Sequence, residues 1–424
     1  MPAARLEGEH IMAERGTLVR HLYVHIPFCR SRCAYCDFVS ESIGPHARAG
    51  RVQEYLAALR AELARKQDLF ETPLETVYLG GGTPTALARG ELLDLVRELG
   101  ALLKPTLGGR RSTCSRPPAL PAPVPSGVAP PVPRAVARPV PAPEFTVEAN
   151  PGNLDAALLR DFAEAGVTRL SLGIQSFSPQ SRAALGRLVT QEEIAGSLVA
   201  LKEVAWPEWN LDLVFGIPGQ TWPDVAADLA AACAAAPTHI SLYDLTYTAR
   251  YSHRLLARAG AEAREAAEAF AERWYAEAVY LLVEAGYERY EISNFALPGH
   301  GCRHNQAYWS GEDYVGLGVS AVSTVAGIRR TNASSVAAYL RGEPAAEEEI
   351  GAGKRMYEKA MLGLRTSEGV QEAEVLGVLD GGALERLLAQ GCLERRYGKL
   401  RLNPGFMDVS TSIIAALLET QELA

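Results

Sequence analysis

Residues 25–38 read HIPFCRSRCAYCDF, and the spacing of Cys29, Cys33 and Cys36 within them, C-x3-C-x2-C, governs the reading of everything around them. Iron–sulfur clusters are held by cysteine thiolates and usually take four protein ligands. Three thiolates on one short loop can hold three irons of a four-iron cluster and leave the fourth iron open. An open position of this kind is what separates catalytic from structural zinc sites. The same cysteines also suit a zinc knuckle completed by a distant histidine, or three buried thiols.

On either side of the triad, short apolar runs alternate with amphipathic stretches. The runs 20–26, 76–80, 145–149, 168–175, 209–216 and 239–247 read as strands. The segments 51–68, 88–103, 154–165, 179–186, 192–205, 223–235 and 264–285 read as helices, several with apolar residues at i, i+3 and i+4. Strand–helix alternation predicts a parallel sheet. Six units are too few for a closed eight-strand barrel and suit a partial barrel, with functional residues at the C-terminal ends of its strands.

The second of those ends carries Gly80-Gly81-Gly82-Thr83-Pro84, directly after TVYL. Consecutive glycines let backbone N–H groups approach a ligand that a Cβ would exclude, and a turn of such groups forms a nest for an anion or carboxylate. A plain tight turn explains the glycines equally well when they are taken alone.

Residues 105–143 interrupt the alternation, with 12 of the 26 prolines, five arginines and no acid. Such a run suits neither helix nor central strand and reads as a disordered or polyproline-type insertion. Cys114 lies inside it, away from the triad. Beyond about residue 300 the alternation stops. Helical stretches at 354–364, 371–378 and 381–390 precede LERRYGKLRLNPGFMD, a pattern that suggests a winged-helix-like cap.

Composition narrows the function. A chain of 424 residues has room for two or three domains. Its net charge of -8 gives no footprint for nucleic acid. It holds no run of about 18 apolar residues for a bilayer, and MPAARLEGEHIMAERG is no secretory signal. Seven cysteines, three of them clustered, suit a metal site in a reducing compartment, so a cytoplasmic protein is expected.

The triad on the first exit loop, followed by the glycine-rich second loop, resembles the radical S-adenosylmethionine (SAM) superfamily. The resemblance implies a [4Fe–4S] cluster whose open iron binds the amino and carboxylate groups of SAM, and whose reduced form cleaves SAM to a 5′-deoxyadenosyl radical. From about Leu18 to Ser410, the insertion excepted, the chain is similar to the oxygen-independent coproporphyrinogen oxidase-like subgroup. That likeness places Tyr23 (YVHIPFC) and Tyr35 along the SAM site, with Gly81, Gly82 and Thr83 at the methionine end. It gives Glu148 (EANP) to the ribose hydroxyls and Arg187 (LGR) to the SAM carboxylate. Gln175 (LGIQSF), Asp212 (NLDLVFGIPGQ) and Thr246, after SLYDL, complete the set. Taken singly, Glu148 also reads as a helix cap, Arg187 as a surface charge and Asp212 as a hydrogen-bonded buried acid.

Within the subgroup, the decarboxylating oxidases carry a further cysteine and a longer N-terminal extension. Here Asp37-Phe38 follow Cys36, and 28 residues precede Cys29. Both features point to the heme-chaperone branch, as does His304-Asn305-x-x-Tyr308-Trp309. A histidine serves as an axial heme ligand, and aromatics offer a flat apolar wall. A histidine that merely ties down its loop is the alternative, and His300 and Cys302 are alternative ligands. His25 reads as conformational. Val189 and Val322 stand where the family often has histidine, which bears on the substrate or heme pocket.

The expectation is therefore a tail (1–18), a partial (β/α)6 radical-SAM core (19–300) and a helical, winged-helix-like C-terminal domain (301–424). The expected function is binding of heme and its delivery to acceptor hemoproteins, membrane-bound respiratory proteins among them. Oxidative decarboxylation of coproporphyrinogen III is the alternative.

Overall fold

The computed structural model describes residues 18–43, 49–71, 73–104, 142–245 and 261–418, without the side chains of 49 and 261–272. Residues 1–17 of the tail, residues 105–141 of the proline-rich insertion with Cys114, and Thr246 fall outside this description.

Six βα units run in chain order: β1 (His21–Ile26), α1 (Ala49–Lys66), β2 (Thr76–Gly81), α2 (Arg89–Ala101), β3 (Glu144–Ala149), α3 (Ala156–Ala165), β4 (Arg169–Gln175), the short α4 (Pro179–Ala184) and α5 (Gln191–Val204), β5 (Trp209–Phe215), α6 (Trp222–Ala235), β6 (His239–Asp244) and α7 (Ala261–Glu284). Strands β1 to β6 lie side by side, all parallel. The expected partial (β/α)6 barrel is thus present. Two additions extend its edges. Beyond β6 come β7 (Glu288–Arg289) and β8 (Asn294–Ala296), with β8 antiparallel to β6. After α8 (Arg303–Trp309), β9 (Val315–Leu317) returns to lie parallel to β1.

Each strand alternates by side. Val77 and Leu79, Phe145 and Val147, Leu170 and Leu172, Leu211 and Leu213, and Ile240 and Leu242 are buried in the main core. The intervening positions, Tyr78, Thr146, Glu148, Ser171, Asn210, Asp212, His239 and Ser241, line one cavity. The lumen is thus polar while the layer beneath the helices is apolar. Helix ends are fixed locally. Asp155 caps α3 through Leu158 N at 2.6 Å, and Gly166 ends it at φ 96°. Thr190 and Glu193 form a capping box on α5.

The core does not divide at residue 300. Val315, Leu317, Val319, Val325 and Val336 belong to the same buried cluster as the barrel, and a second cluster starts at Ala360. An antiparallel sheet follows β9: β10 (Val322–Val325), β11 (Ile328–Thr331) and, after α9 (Val336–Leu340), β12 (Ala346–Glu349). The second cluster joins α10 (Ala352–Gly363), β13 (Val370–Gln371), α11 (Gly381–Ala389), β14 (Leu393–Arg396), β15 (Lys399–Leu402) and α12 (Ser410–Leu417). Strands β13, β15 and β14 form a three-stranded sheet beside these helices, the winged-helix-like arrangement expected.

Candidate cluster and cofactor site

The cysteine loop leaves β1 at the C-terminal mouth of the barrel. It is closed by a short parallel pairing of Phe28–Cys29 with Glu41–Ser42, in which Ile43 N donates to Cys29 O at 2.8 Å. Inside the loop His25 acts as a strut. Its Nε2–H donates to Val39 O at 2.9 Å, and its Nδ1 accepts from the Tyr23 hydroxyl at 3.0 Å. Both ring nitrogens are committed, which gives His25 a role in holding the loop.

The second loop is shaped around this strut. Gly81 lies at φ 108°, and a Cβ there would come 2.5 Å from His25 Nδ1. Gly82 N donates to Ile26 O and Thr83 N to Phe28 O, each at 2.8 Å, so the glycine turn is laced to the start of the cysteine loop. Thr83 Oγ1 reaches Cys29 Sγ at 3.6 Å. From the opposite wall, Arg187 Nη1 reaches Cys33 Sγ at 3.5 Å, and Nη2 donates to Asn150 Oδ1 at 2.7 Å and to Gly173 O. Asn150 in turn donates to Thr83 at 2.7 Å.

Cys29, Cys33 and Cys36 line one cavity of about 420 Å³ together with Tyr35, Gly81, Gly82, Thr83, Glu148, Gln175, Arg187 and Asp212. Tyr23 joins indirectly, through His25 and by packing against Tyr78 with ring centroids 6.1 Å apart. Gln175 sits at φ 73° on a bulge between β4 and β5, a left-handed conformation that costs a non-glycine residue energy and re-aims its side chain. His304 does not join the cavity, and Thr246 is outside the described residues.

Two carboxylates face the lumen. Glu148 accepts from Tyr78 OH at 2.8 Å and Gly81 N at 3.0 Å, so it caps no helix. Burial first, then the charge of Asp212, pushes its carboxyl up to about 7. Asp212 accepts from Ser171 at 3.0 Å and Asn210 at 2.8 Å, and burial raises its pKa also. Such a pair favours a cationic occupant, as the sulfonium and ammonium of SAM are.

Among the described residues, no three His, Cys, Asp or Glu side chains converge on a single ion's position. Zinc draws every thiolate to within about 2.3 Å of one atom. A four-iron cluster gives each thiolate its own iron, so three thiols that line one cavity suit it. The Arg187 guanidinium and the Thr83 hydroxyl on Cys33 and Cys29 are donors of the kind that stabilise cluster-bound sulfur.

Under the barrel, His304 is 3% exposed on α8. A relay fixes it: Glu312 Oε2, His21, Thr76 Oγ1 and His304 Nδ1 lie in sequence at 3.0, 2.9 and 2.8 Å. Glu312 Oε2 accepts from His21 Nε2–H, so with one proton on that ring Thr76 donates to His21 Nδ1 and accepts from His304 Nδ1–H. His304 Nε2 is then a bare lone pair, buried and without a partner among the described residues. Burial lowers its pKa to about 3, so it stays neutral. Its ring packs between Tyr78 and Tyr308, with centroids 5.2 and 5.5 Å away.

The radical SAM superfamily profile matches residues 23–232. A heme chaperone HemW of Synechocystis sp. is 33% identical over 84% of this chain and 80% of its own length. The chain belongs to the HemW family. HemW of Escherichia coli is 29% identical over 90% of this chain and 96% of its own length. The fold is that of the E. coli coproporphyrinogen III oxidase HemN, with a TM-score of 0.72 at 18% identity over 98% of this chain and 93% of that one. As a radical SAM protein of the HemW family, the chain has a [4Fe–4S] cluster and SAM as its implied cofactors, and the donors described above fit both.

Several site residues escape motif reading. Asn150, which joins Arg187 to Thr83, lies in EANP, where the glutamate carries the recognisable chemistry. Tyr78, Ser171, Asn210, His239 and Ser241 carry a legible signal, since polar residues at every second position of a doubly covered strand must face a lumen.

Proposed function

We infer that the protein binds heme and hands it to acceptor hemoproteins. The observation that carries this reading is the match to proteins named heme chaperone HemW along nearly the whole chain. Cys29, Cys33 and Cys36 would hold the cluster, and bound SAM would supply the cluster's open iron with its amino and carboxylate ligands. Arg187 and the Gly81–Thr83 turn would orient the methionine end, and Glu148 the ribose. Tyr35, Gln175 and Asp212 would line the remainder.

For heme, His304 offers a neutral imidazole whose free Nε2 is already in the ligating tautomer, oriented by Thr76 as second-shell partners orient metal-bound histidines. Its burial means that α8 must lift from the barrel floor for a macrocycle to reach it. Cys302 is a poorer candidate, because burial pushes its thiol up to about 12. His300 is more open, and Glu208 holds its Nδ1 at 2.7 Å.

The test divides anaerobically reconstituted protein in two. One half receives heme, is desalted and is read by its visible spectrum. The other receives SAM, reductant and coproporphyrinogen III, followed by product analysis. Retained stoichiometric heme without vinyl-bearing product is expected. Decarboxylated product formed with consumption of SAM would overturn the chaperone reading in favour of an oxidase. His304→Ala is expected to weaken heme retention while leaving iron and sulfide unchanged. The same loss in His300→Ala, with His304→Ala unaffected, would move the ligand to the surface histidine.

A further inference from the structure

The cavity does not end at Glu148 and Asp212. It continues down the lumen past Tyr78, Thr146, Ser171, Asn210 and His239 to Arg169, Cys302 and Asn305 at the barrel floor. None of the cluster or SAM positions derived above uses this lower part.

Two of its residues are incompletely satisfied. Thr146 and Arg169 are register partners on β3 and β4, so their side chains emerge side by side on the lumen face. They are 1% and 4% exposed. Thr146 Oγ1 and Arg169 Nη2 are both buried without a hydrogen-bond partner among the described residues. A buried unpaired donor costs about 1–3 kcal/mol, more when charged, so such groups are rarely left idle in a folded protein.

The surroundings set the sign of the missing partner. Arg169 Nη1 donates to His300 O at 3.1 Å, and its nearest carboxylate is Glu208 Oε2 at 3.8 Å. Glu208 is already held by His300 at 2.7 Å. Glu144 is committed to the backbone N–H groups of Arg303 and His304, each at 2.9 Å, and to the Cys302 thiol. The His239 imidazole is neutral, its Nδ1–H donating to Asn210 Oδ1 at 2.7 Å and its Nε2 accepting from Tyr290 OH at 2.9 Å. What is left over is one guanidinium N–H edge beside one hydroxyl. The Nη2 amino group and the Thr146 hydroxyl can each donate to one oxygen of a carboxylate. A phosphate dianion would need more positive charge than one arginine supplies, given Glu148 and Asp212 in the same lumen.

We propose that the lower barrel lumen is a binding subsite for a short-chain carboxylic acid, anchored by Arg169 and Thr146. The ligand enters past the lip at Asp37 and Phe38, where Phe38 is 61% exposed. Its acid group reaches the floor and its carbon chain lies against Tyr78. The length is bounded by the cavity, whose upper part the cofactor positions already claim. The two anchoring residues stand on β3 and β4 and the site does not use His304, while α8 contributes Asn305 to its floor.

Propionate is the probe, with propionamide as its neutral isostere. Equilibrium dialysis of cluster-reconstituted full-length protein against radiolabelled propionate measures occupancy. Arg160→Gln, an exposed arginine paired with Glu203, controls for non-specific anion uptake. Saturable binding is expected in the wild type and in Arg160→Gln. Arg169→Gln is expected to weaken it at least about tenfold, the worth of a charge-assisted hydrogen bond. Propionamide should compete poorly. Thr146→Val keeps the shape and removes one hydroxyl, and is expected to weaken binding about threefold. It carries the test alone if Arg169→Gln loses its native circular dichroism. Binding no greater than in Arg169→Gln, equal binding in Thr146→Val, or equal competition by propionamide would overturn the proposal.

Discussion

Arg187 illustrates how much of this site rests on single side chains. A motif of three letters, LGR, becomes a clamp that reaches Cys33, Asn150 and the Gly173 carbonyl at once. A guanidinium can do this and an ammonium cannot. Arg187→Lys is therefore expected to retain the fold and lose SAM affinity by about tenfold or more, measured by equilibrium dialysis with labelled SAM. At the cysteines the expectation is all-or-none. Cys29→Ala, Cys33→Ala and Cys36→Ala should each bring iron and sulfide to background after reconstitution, because a cluster with two protein ligands is unprotected. Retention of full iron and sulfide in any one of them would remove that cysteine from the ligand set. Glu148 adds a pH dependence. Its carboxyl is raised to about 7 in the folded protein, from 4.5. Between those values the native state holds a proton that the unfolded chain has released, so this group lowers stability as pH rises through the window. The span corresponds to roughly 1–3 kcal/mol once water in the cavity is allowed for. Urea unfolding of the cluster-free protein from pH 5 to pH 8 should show the decline, and Glu148→Gln should flatten it. Parallel slopes in both proteins would place the burden on Asp212, which is raised in the same direction.

At the scale of elements, the βα alternation was legible because strand and helix periods differ, and all six barrel strands fall where apolar runs predicted them. The cysteine and glycine loops were legible for another reason: their spacing is itself the chemistry. What the sequence concealed is order at the edges. Strands β7, β8 and β9 are two or three residues long. At that length no alternation can be counted, and pairing with a neighbour creates the strand. Past residue 300, β9 returns to β1 through a segment with no repeat signal. His304 resisted a different kind of reading. Its motif is visible, whereas its position beneath the barrel follows only from the Thr76 and Glu144 contacts. The second loop gives the sharpest element-level prediction. Gly81→Ala places a methyl against the His25 ring at a left-handed φ, and both ring nitrogens are tied, so the ring cannot turn away. The cost should be roughly 2–4 kcal/mol in urea unfolding. Cluster retention should fall with it, because His25 braces Val39 at the end of the cysteine loop. A stable, cluster-loaded Gly81→Ala protein would mean that the strut is dispensable.

For the whole molecule, the two buried clusters raise the question of what fixes the C-terminal unit on the barrel. Tyr290 stands at the junction. Its hydroxyl meets His239 at the lumen, and its carbonyl accepts from Ser367 N at 2.9 Å. One residue earlier, Arg289 reaches out of the barrel edge to Asp408 at 2.7 Å. The Arg289 side chain is 8% exposed, against 31% for Asp408. Buried arginine left without its carboxylate is costly, whereas exposed pairs contribute little. This pair lies between those limits, because Arg289 keeps Ile292 O at 2.8 Å and the Tyr275 ring at 4.8 Å when Asp408 is removed. Asp408→Ala is therefore expected to cost roughly 1–3 kcal/mol, spent on docking rather than on the barrel. Hydrogen exchange separates the two. Amides in residues 352–418 should exchange faster in the variant, while those of β1 to β6 keep wild-type protection and the cluster content is unchanged. Faster exchange throughout the barrel would mean that the two units fold as one cooperative body. No change anywhere would mean that α8, the Ser367 contact and the Arg329–Glu358 pair at 2.7 Å hold the unit without Arg289.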